Sequence, residues 1–118
     1  MTHRHRGERL GELFRREFTR LLMGPLKDPR LEGVTVTEVR ATRDLSFATV
    51  YVRSEDDVEE GIEALERAVG FIRRELGRSL RLRKIPEFRF LPDETPEHAS
   101  RIEALLRQVR ESDGQREG

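Results

Sequence analysis

The 118-residue chain has zero formal net charge, no cysteine, and 39% charged against 35% hydrophobic residues. A chain of this length supports one lean core and not two, and the lack of cysteine excludes a disulfide framework, a thiolate zinc site and thiol catalysis. No run approaches the roughly 18 apolar residues of a membrane span, and the opening MTHRHRGERL lacks the apolar stretch of a signal peptide, so a soluble cytoplasmic domain is expected.

From about Gly7 to Met23, Leu10, Leu13, Phe14, Phe18, Leu21 and Leu22 recur at helical spacing, with Arg9, Glu12, Arg16 and Arg20 between them. Gly24-Pro25 ends this helix, because the residue before a proline disfavours the helical backbone. Val34-Thr35-Val36-Thr37 then alternates as a strand, and the phase slips so that Val39 and Ala41 continue the apolar set, which predicts a bulge near Glu38. After the polar turn Thr42–Ser46, Phe47–Val52 is β-branched and aromatic, and the two runs form an antiparallel hairpin with Ala48, Val50 and Val52 on one face.

Ser54 or Asp56 caps the next helix. Val58, Ile62, Leu65, Val69, Ile72, Leu76 and Leu80 follow as one apolar stripe, continuous in phase across Gly70 and ended by Arg83-Lys84-Ile85-Pro86. Glu87–Leu91 alternates as a third strand with Phe88 and Phe90 on one face. Thr95-Pro96-Glu97 starts a last helix with proline at its first position, and Ile102, Leu105, Leu106 and Val109 give it an apolar side. The order predicts a two-layer α+β domain over residues 7–94, with a flexible N-terminus (1–6), a C-terminal helix (95–110) and a disordered tail (111–118).

The zero net charge conceals strong polarity along the chain. Residues 54–66 hold seven acids and no base, whereas residues 67–90 hold eight bases and two acids. At about 100° per residue in one straight helix, Arg67, Arg74, Arg78 and Arg81 fall within an arc of roughly 60°, opposite the apolar stripe. Arg83 and Lys84 extend this rail, and only Glu75 lies within it as a counter-charge. Favourable helix-end charge is one explanation, and a track for nucleic-acid phosphates is the other and the stronger. Gly70, inside the stretch, costs roughly 1 kcal/mol relative to alanine. A kink, a close approach by a ligand and a tight packing contact each account for it, and Phe71 stacks on a base or turns inward accordingly.

Catalytic and metal chemistry find little support. His3 and His5 form an HxH pair in the terminal segment without a further ligand nearby, and His98 sits in the first turn of the last helix. There is no Gly-rich phosphate loop or nucleophile elbow. Asp28, Asp44 and Asp93 lie in three separate turns, and only their convergence would make a metal-dependent nuclease. No cofactor, metal or small-molecule substrate is expected.

Several motifs taken together resemble the bacterial ribosome-binding factor A family across residues 6–110: Asp28-Pro29-Arg30-Leu31, Val34–Thr37, Arg43-Asp44-Leu45, Ala48–Val52, Ala68-Val69-Gly70-Phe71-Ile72-Arg73, Leu80–Arg83 and Ile85–Phe90 with Asp93 after it. The resemblance implies a type II KH-like fold in which a kink, here Ala68-Val69-Gly70, replaces the GxxG loop, and this sequence has no GxxG. It implies binding to the free 30S subunit and its 16S rRNA late in maturation. It also implies support of 16S 5′-end processing, growth in the cold, release by a partner GTPase, and no catalysis. Arg73, Arg74, Arg78, Arg81, Arg83 and Lys84 would face rRNA, and Lys27 and Arg30 extend the set. Apart from the resemblance, the acidic stretch before the kink is expected to keep phosphate off that end of the helix. The alternatives at this point are a general KH-like RNA-binding module, an rRNA-processing nuclease, and a protein-interaction domain with a basic face. A monomer is expected.

Overall fold

A computed structural model describes residues 2–94; the helix read over 95–110, with His98, and the tail 111–118 lie outside the described residues. Helix α1 spans Thr2–Met23, strand β1 Val34–Ala41, β2 Phe47–Ser54, α2 Val58–Arg67, α3 Val69–Leu80 and β3 Glu87–Pro92, with a 3-10 turn at Pro29–Leu31 before β1. The helical backbone begins at Thr2, ahead of the start near Gly7 that the apolar periodicity predicts. The segment before Gly7 has no apolar periodicity to mark it, and a helix propagates over such residues once nucleated.

The sheet order is β1-β2-β3, with β1 and β2 antiparallel and β2 and β3 parallel. A parallel pair requires a crossover, and α2 and α3 provide it. The inner residues Val34, Val36, Val39, Ala48, Val50, Val52 and Phe90 share one core with Phe14, Phe18 and Leu21 of α1 and with Ile62, Leu65, Ile72 and Leu76. Complete burial of side chains such as Leu65, Ile72 and Leu76 stabilises the fold by about 1.5–3 kcal/mol each. Phe88 joins α1 to the sheet edge-on, its ring 5.6 Å from Phe14 and 5.3 Å from Phe18.

The slip predicted near Glu38 in β1 is present. Pairing steps from Val36↔Val52 to Glu38↔Tyr51, so Thr37 is the extra residue, and its hydroxyl donates to the Tyr51 carbonyl at 3.3 Å. The bulge returns Val39 to the buried face. It also brings the Val39 carbonyl so close to α1 that a Cβ at Gly11 would collide with it. Helix and bulged strand therefore approach to backbone contact.

The cap of α2 is Asp57, not Ser54 or Asp56. Its carboxylate accepts from the Glu59 and Glu60 N–H groups at 3.0 and 3.3 Å, while the Ser54 hydroxyl accepts from Asp56 N–H one step earlier. The continuous apolar stripe is carried by two helices rather than one. The break lies at Ala68, whose backbone (φ −92°, ψ 4°) belongs to neither. Phe71 turns inward and packs half-buried at the core edge.

Candidate nucleic-acid interface

The break separates the predicted arginine rail into parts with different duties. Arg67 is the last residue of α2, close enough to Asp28 for its charge to act on that carboxyl. Arg74 and Arg78 are exposed on α3, one turn apart. Arg81 lies just past the helix in the left-handed conformation (φ 54°), its N–H donating to the Gly77 carbonyl. That conformation costs a non-glycine residue about 1–2 kcal/mol. Arg83 and Lys84 follow, both exposed.

Arg73 faces the protein instead of solvent. Its Nη2 donates to the Ile85 carbonyl at 2.9 Å and ties α3 to the segment entering β3. Arg30 is also committed locally: its Nε and Nη2 reach the two Asp28 carboxylate oxygens at 3.2 and 2.7 Å, and Nη1 lies 3.7 Å from Glu63. Asp28 in turn accepts the Arg30 N–H at 2.9 Å and caps the 3-10 turn. The Arg30 side chain, then its backbone N–H, hold the Asp28 carboxyl at a pKa of about 2, below its usual 3.8. Lys27 is exposed beside this cluster.

Arg78 is not unpaired. Its Nη2 lies 2.5 Å from Glu75, and Glu75 also stands 4.0 Å from Arg20 of α1. The Arg78 side chain is 76% exposed, and such surface pairs are worth about 0.3–0.5 kcal/mol on a helix, so phosphate displaces this one at small cost. Arg20 is a cation that the sequence reading left out of the site. The signal for it was present, since Arg9, Arg16 and Arg20 form the polar stripe of α1, but only tertiary packing sets that stripe beside α3.

Gly70 is exposed in the first turn of α3. A Cβ there would meet nothing nearer than Arg74 Nη1 at 4.0 Å, and its φ is not positive. A tight packing contact is therefore not its reason, and the helix break sits two residues earlier. The backbone beside Arg74 is open to solvent there.

The three aspartates of the nuclease alternative are not brought together. Asp28 is held by Arg30, Asp44 accepts the Ser46 N–H at 3.0 Å in the hairpin turn, and Asp93 is buried after β3. The Ser46 N–H holds the Asp44 carboxyl below its usual pKa, with smaller help from the Lys84 charge. Among the described residues no three His, Cys, Asp or Glu side chains gather where a metal ion could bind. No helix of the described residues is long and apolar enough to cross a membrane.

An α-β-β-α-α-β chain with a mixed three-stranded sheet, a broken crossover helix and a basic helix exit defines a type II KH-like domain. Residues 6–106 match the family model described as Ribosome-binding factor A. The chain is 42% identical over 118 residues to ribosome-binding factor A of Desulfitobacterium hafniense, covering 98% of this chain and 94% of that one. It is 39% identical over 111 residues to the Staphylococcus carnosus protein, covering 92% and 96%. The crystal structure of ribosome-binding factor A from Thermus thermophilus superposes with a TM-score of 0.69 at 34% identity, covering 73% of this chain and 93% of that one. A Thermus thermophilus model fitted into a cryo-EM map of a complex with the 30S subunit gives 0.65 at 32% identity, covering 75% and 97%. The chain belongs to the ribosome-binding factor A family.

Proposed function

We propose that this protein binds the free 30S ribosomal subunit in the cytoplasm by seating the exit of α3 on 16S rRNA. There it assists late subunit maturation without catalysing a reaction itself. The observation that carries this reading is the run of exposed cations Arg74, Arg78, Arg81, Arg83 and Lys84 on a chain of this family, one relative of which has been fitted into a 30S complex. Arg67 and Lys27 flank the run, while Arg73 and Arg30 hold the frame. The arginines fix position on phosphates and carry no sequence information. Selectivity comes from the shape of the rRNA that fits against the break at Ala68, beside which the exposed Gly70 lets a backbone approach.

Support of 16S 5′-end processing, growth in the cold, and release by an assembly GTPase belong to the same reading. Occupying an immature rRNA conformation delays the subunit until processing is complete, and a factor of this kind matters most in the cold, where misfolded RNA rearranges slowly. The test is co-sedimentation with separated small subunits, large subunits and assembled ribosomes at two salt concentrations. Selective binding to free small subunits is expected. With about five phosphates neutralised, log affinity should fall against log salt with a slope of about −3 to −4. Equal binding to all three particles, or a slope near zero, overturns the proposal.

A further inference from the structure

Among the described residues, no helix lies over the outer face of the sheet. The described helices share the inner-face core, and the outward residues of the strands stand in solvent-facing rows. Pairing aligns Arg40, Thr49 and Arg89 in one row, and Glu38, Tyr51 and Leu91 in the next. Phe47 and Arg53 lie at either end of β2, Phe47 being 58% exposed and Leu91 38%. Because Ala48, Val50 and Val52 alternate inward, the two aromatic rings of β2, Phe47 and Tyr51, both point out.

We propose that this face is a second RNA contact, which takes unpaired bases of single-stranded RNA on Phe47 and Tyr51. Sheet-mounted aromatics stack bases irrespective of sequence, and arginines between them supply the charge for the backbone. Arg40, Arg53 and Arg89 do so here, against Glu38 and Glu87 on the strands and against Asp93 and Glu94, which line the hollow beside Tyr51 and Arg40. Glu38 is already engaged: its carboxylate accepts from Arg40 Nε at 2.7 Å and holds that guanidinium 5.7 Å from the centre of the Tyr51 ring. The arrangement presents a flat cation backed by a ring, a surface on which a base stacks without reordering the side chain. Phe47 and Tyr51 are about 14 Å apart along the strand at about 3.4 Å per residue. The rings therefore receive two separate, splayed bases, as in an unpaired linker and not in a duplex. A second copy of the chain fits the face poorly, because a two-fold contact brings the same arginine row against itself.

The protein carries its own reporter, because Tyr51 is its sole tyrosine and there is no tryptophan. A short oligouridylate titrated into the full chain, with emission corrected for nucleotide absorption, should quench tyrosine fluorescence saturably. Phe47→Ala, an exposed position that leaves the core untouched, should weaken this binding by about five- to 150-fold, the range of one lost base stack. Arg89→Gln should weaken it less, while Arg74→Glu/Arg78→Glu should leave the quenching intact. That last variant separates this site from the α3 exit. Quenching abolished by the α3 double variant and unmoved by Phe47→Ala overturns the proposal while leaving the α3 reading standing. A protein that sediments as a dimer until Phe47 is replaced overturns it in favour of self-association. Loss of small-subunit binding in Phe47→Ala, with no quenching by oligouridylate, overturns it in favour of a ribosomal protein contact.

Discussion

Helices α2 and α3 follow one another directly, bury the same apolar stripe in the same core, and carry opposite charge. On α2 most charged features have a local reason, the exception being Glu66 in the last turn. Asp57 caps the first turn, Glu59 and Glu60 sit at the positive end of the helix dipole, and Arg67 sits at the negative end. On α3 the reasons run out. Its Ala68 cap makes no side-chain hydrogen bond, its first turn has no acid, it contains Gly70 and Gly77, and it ends on an arginine in the left-handed conformation. The first helix is built as helix physics would build it. The second departs from that pattern chiefly at the exposed Gly70 and Arg81, Gly77 being packed beside Ile85, and exposed positions are where a surface shaped for a partner would depart from it.

The largest effect that would break this comparison is reversal of charge on α3. Arg74→Glu/Arg78→Glu should reduce binding to free small subunits by more than about 100-fold, since two phosphate contacts become repulsions. Both side chains point away from the core, so stability to chemical unfolding should change by no more than about 1 kcal/mol. A double variant that binds normally removes α3 as the interface. The mirror experiment belongs on α2: Asp57→Ala should cost about 1 kcal/mol of stability through the lost cap and leave RNA binding unchanged. If affinity fell as well, the acidic helix would have to be part of the site.

How much of this contrast the sequence displays depends on what each feature needs. Local features were legible: the stripe of α1, the slipped phase in β1 and the alternating faces of β2 need only periodicity. The Asp57 cap was off by one position, because Ser54, Asp56 and Asp57 are all good caps and only the turn geometry chooses among them. The helix break is invisible to periodicity, since the stripe keeps phase across it; Gly70 offers a kink as one of three explanations, and only the family resemblance selects it. The parallel pairing of β3, the bond from Arg73 to the Ile85 carbonyl and the approach of Arg20 to Glu75 join residues far apart in sequence. No spacing rule encodes such contacts, so the arginines could be counted but not assigned their duties.

Gly70→Ala sharpens the comparison by moving stability and binding in opposite directions. The added methyl enters open space at a φ that alanine tolerates, so the variant should be more stable by about 0.4–1 kcal/mol. The same methyl occupies the approach to the backbone beside Arg74, and affinity for free small subunits should drop. Urea midpoints and co-sedimentation on one preparation give both readings. A variant that gains stability and keeps full affinity would show that the glycine serves nothing at the interface.

The smallest expected effect concerns the pair of Asp28 and Arg30, which the charge of Arg67 reaches. Asp28 titrates near 2 in the folded protein, chiefly because the Arg30 side chain bonds its charged form, against 3.8 for the unperturbed carboxyl. A depressed folded pKa means that the ionised group favours the folded state. Its contribution is therefore complete above about pH 4 and is lost as pH falls from there toward 2. Asp28→Asn should flatten the stability profile across that window and leave it parallel to wild type above it, because the asparagine has no charge to lose. The carboxylate is at the surface, so salt should shrink the difference, whereas the backbone hydrogen bond to Arg30 N–H, which asparagine keeps, should not respond. Thermal midpoints of the two proteins at pH steps across the window, each at low and high salt, separate the ion pair from the cap.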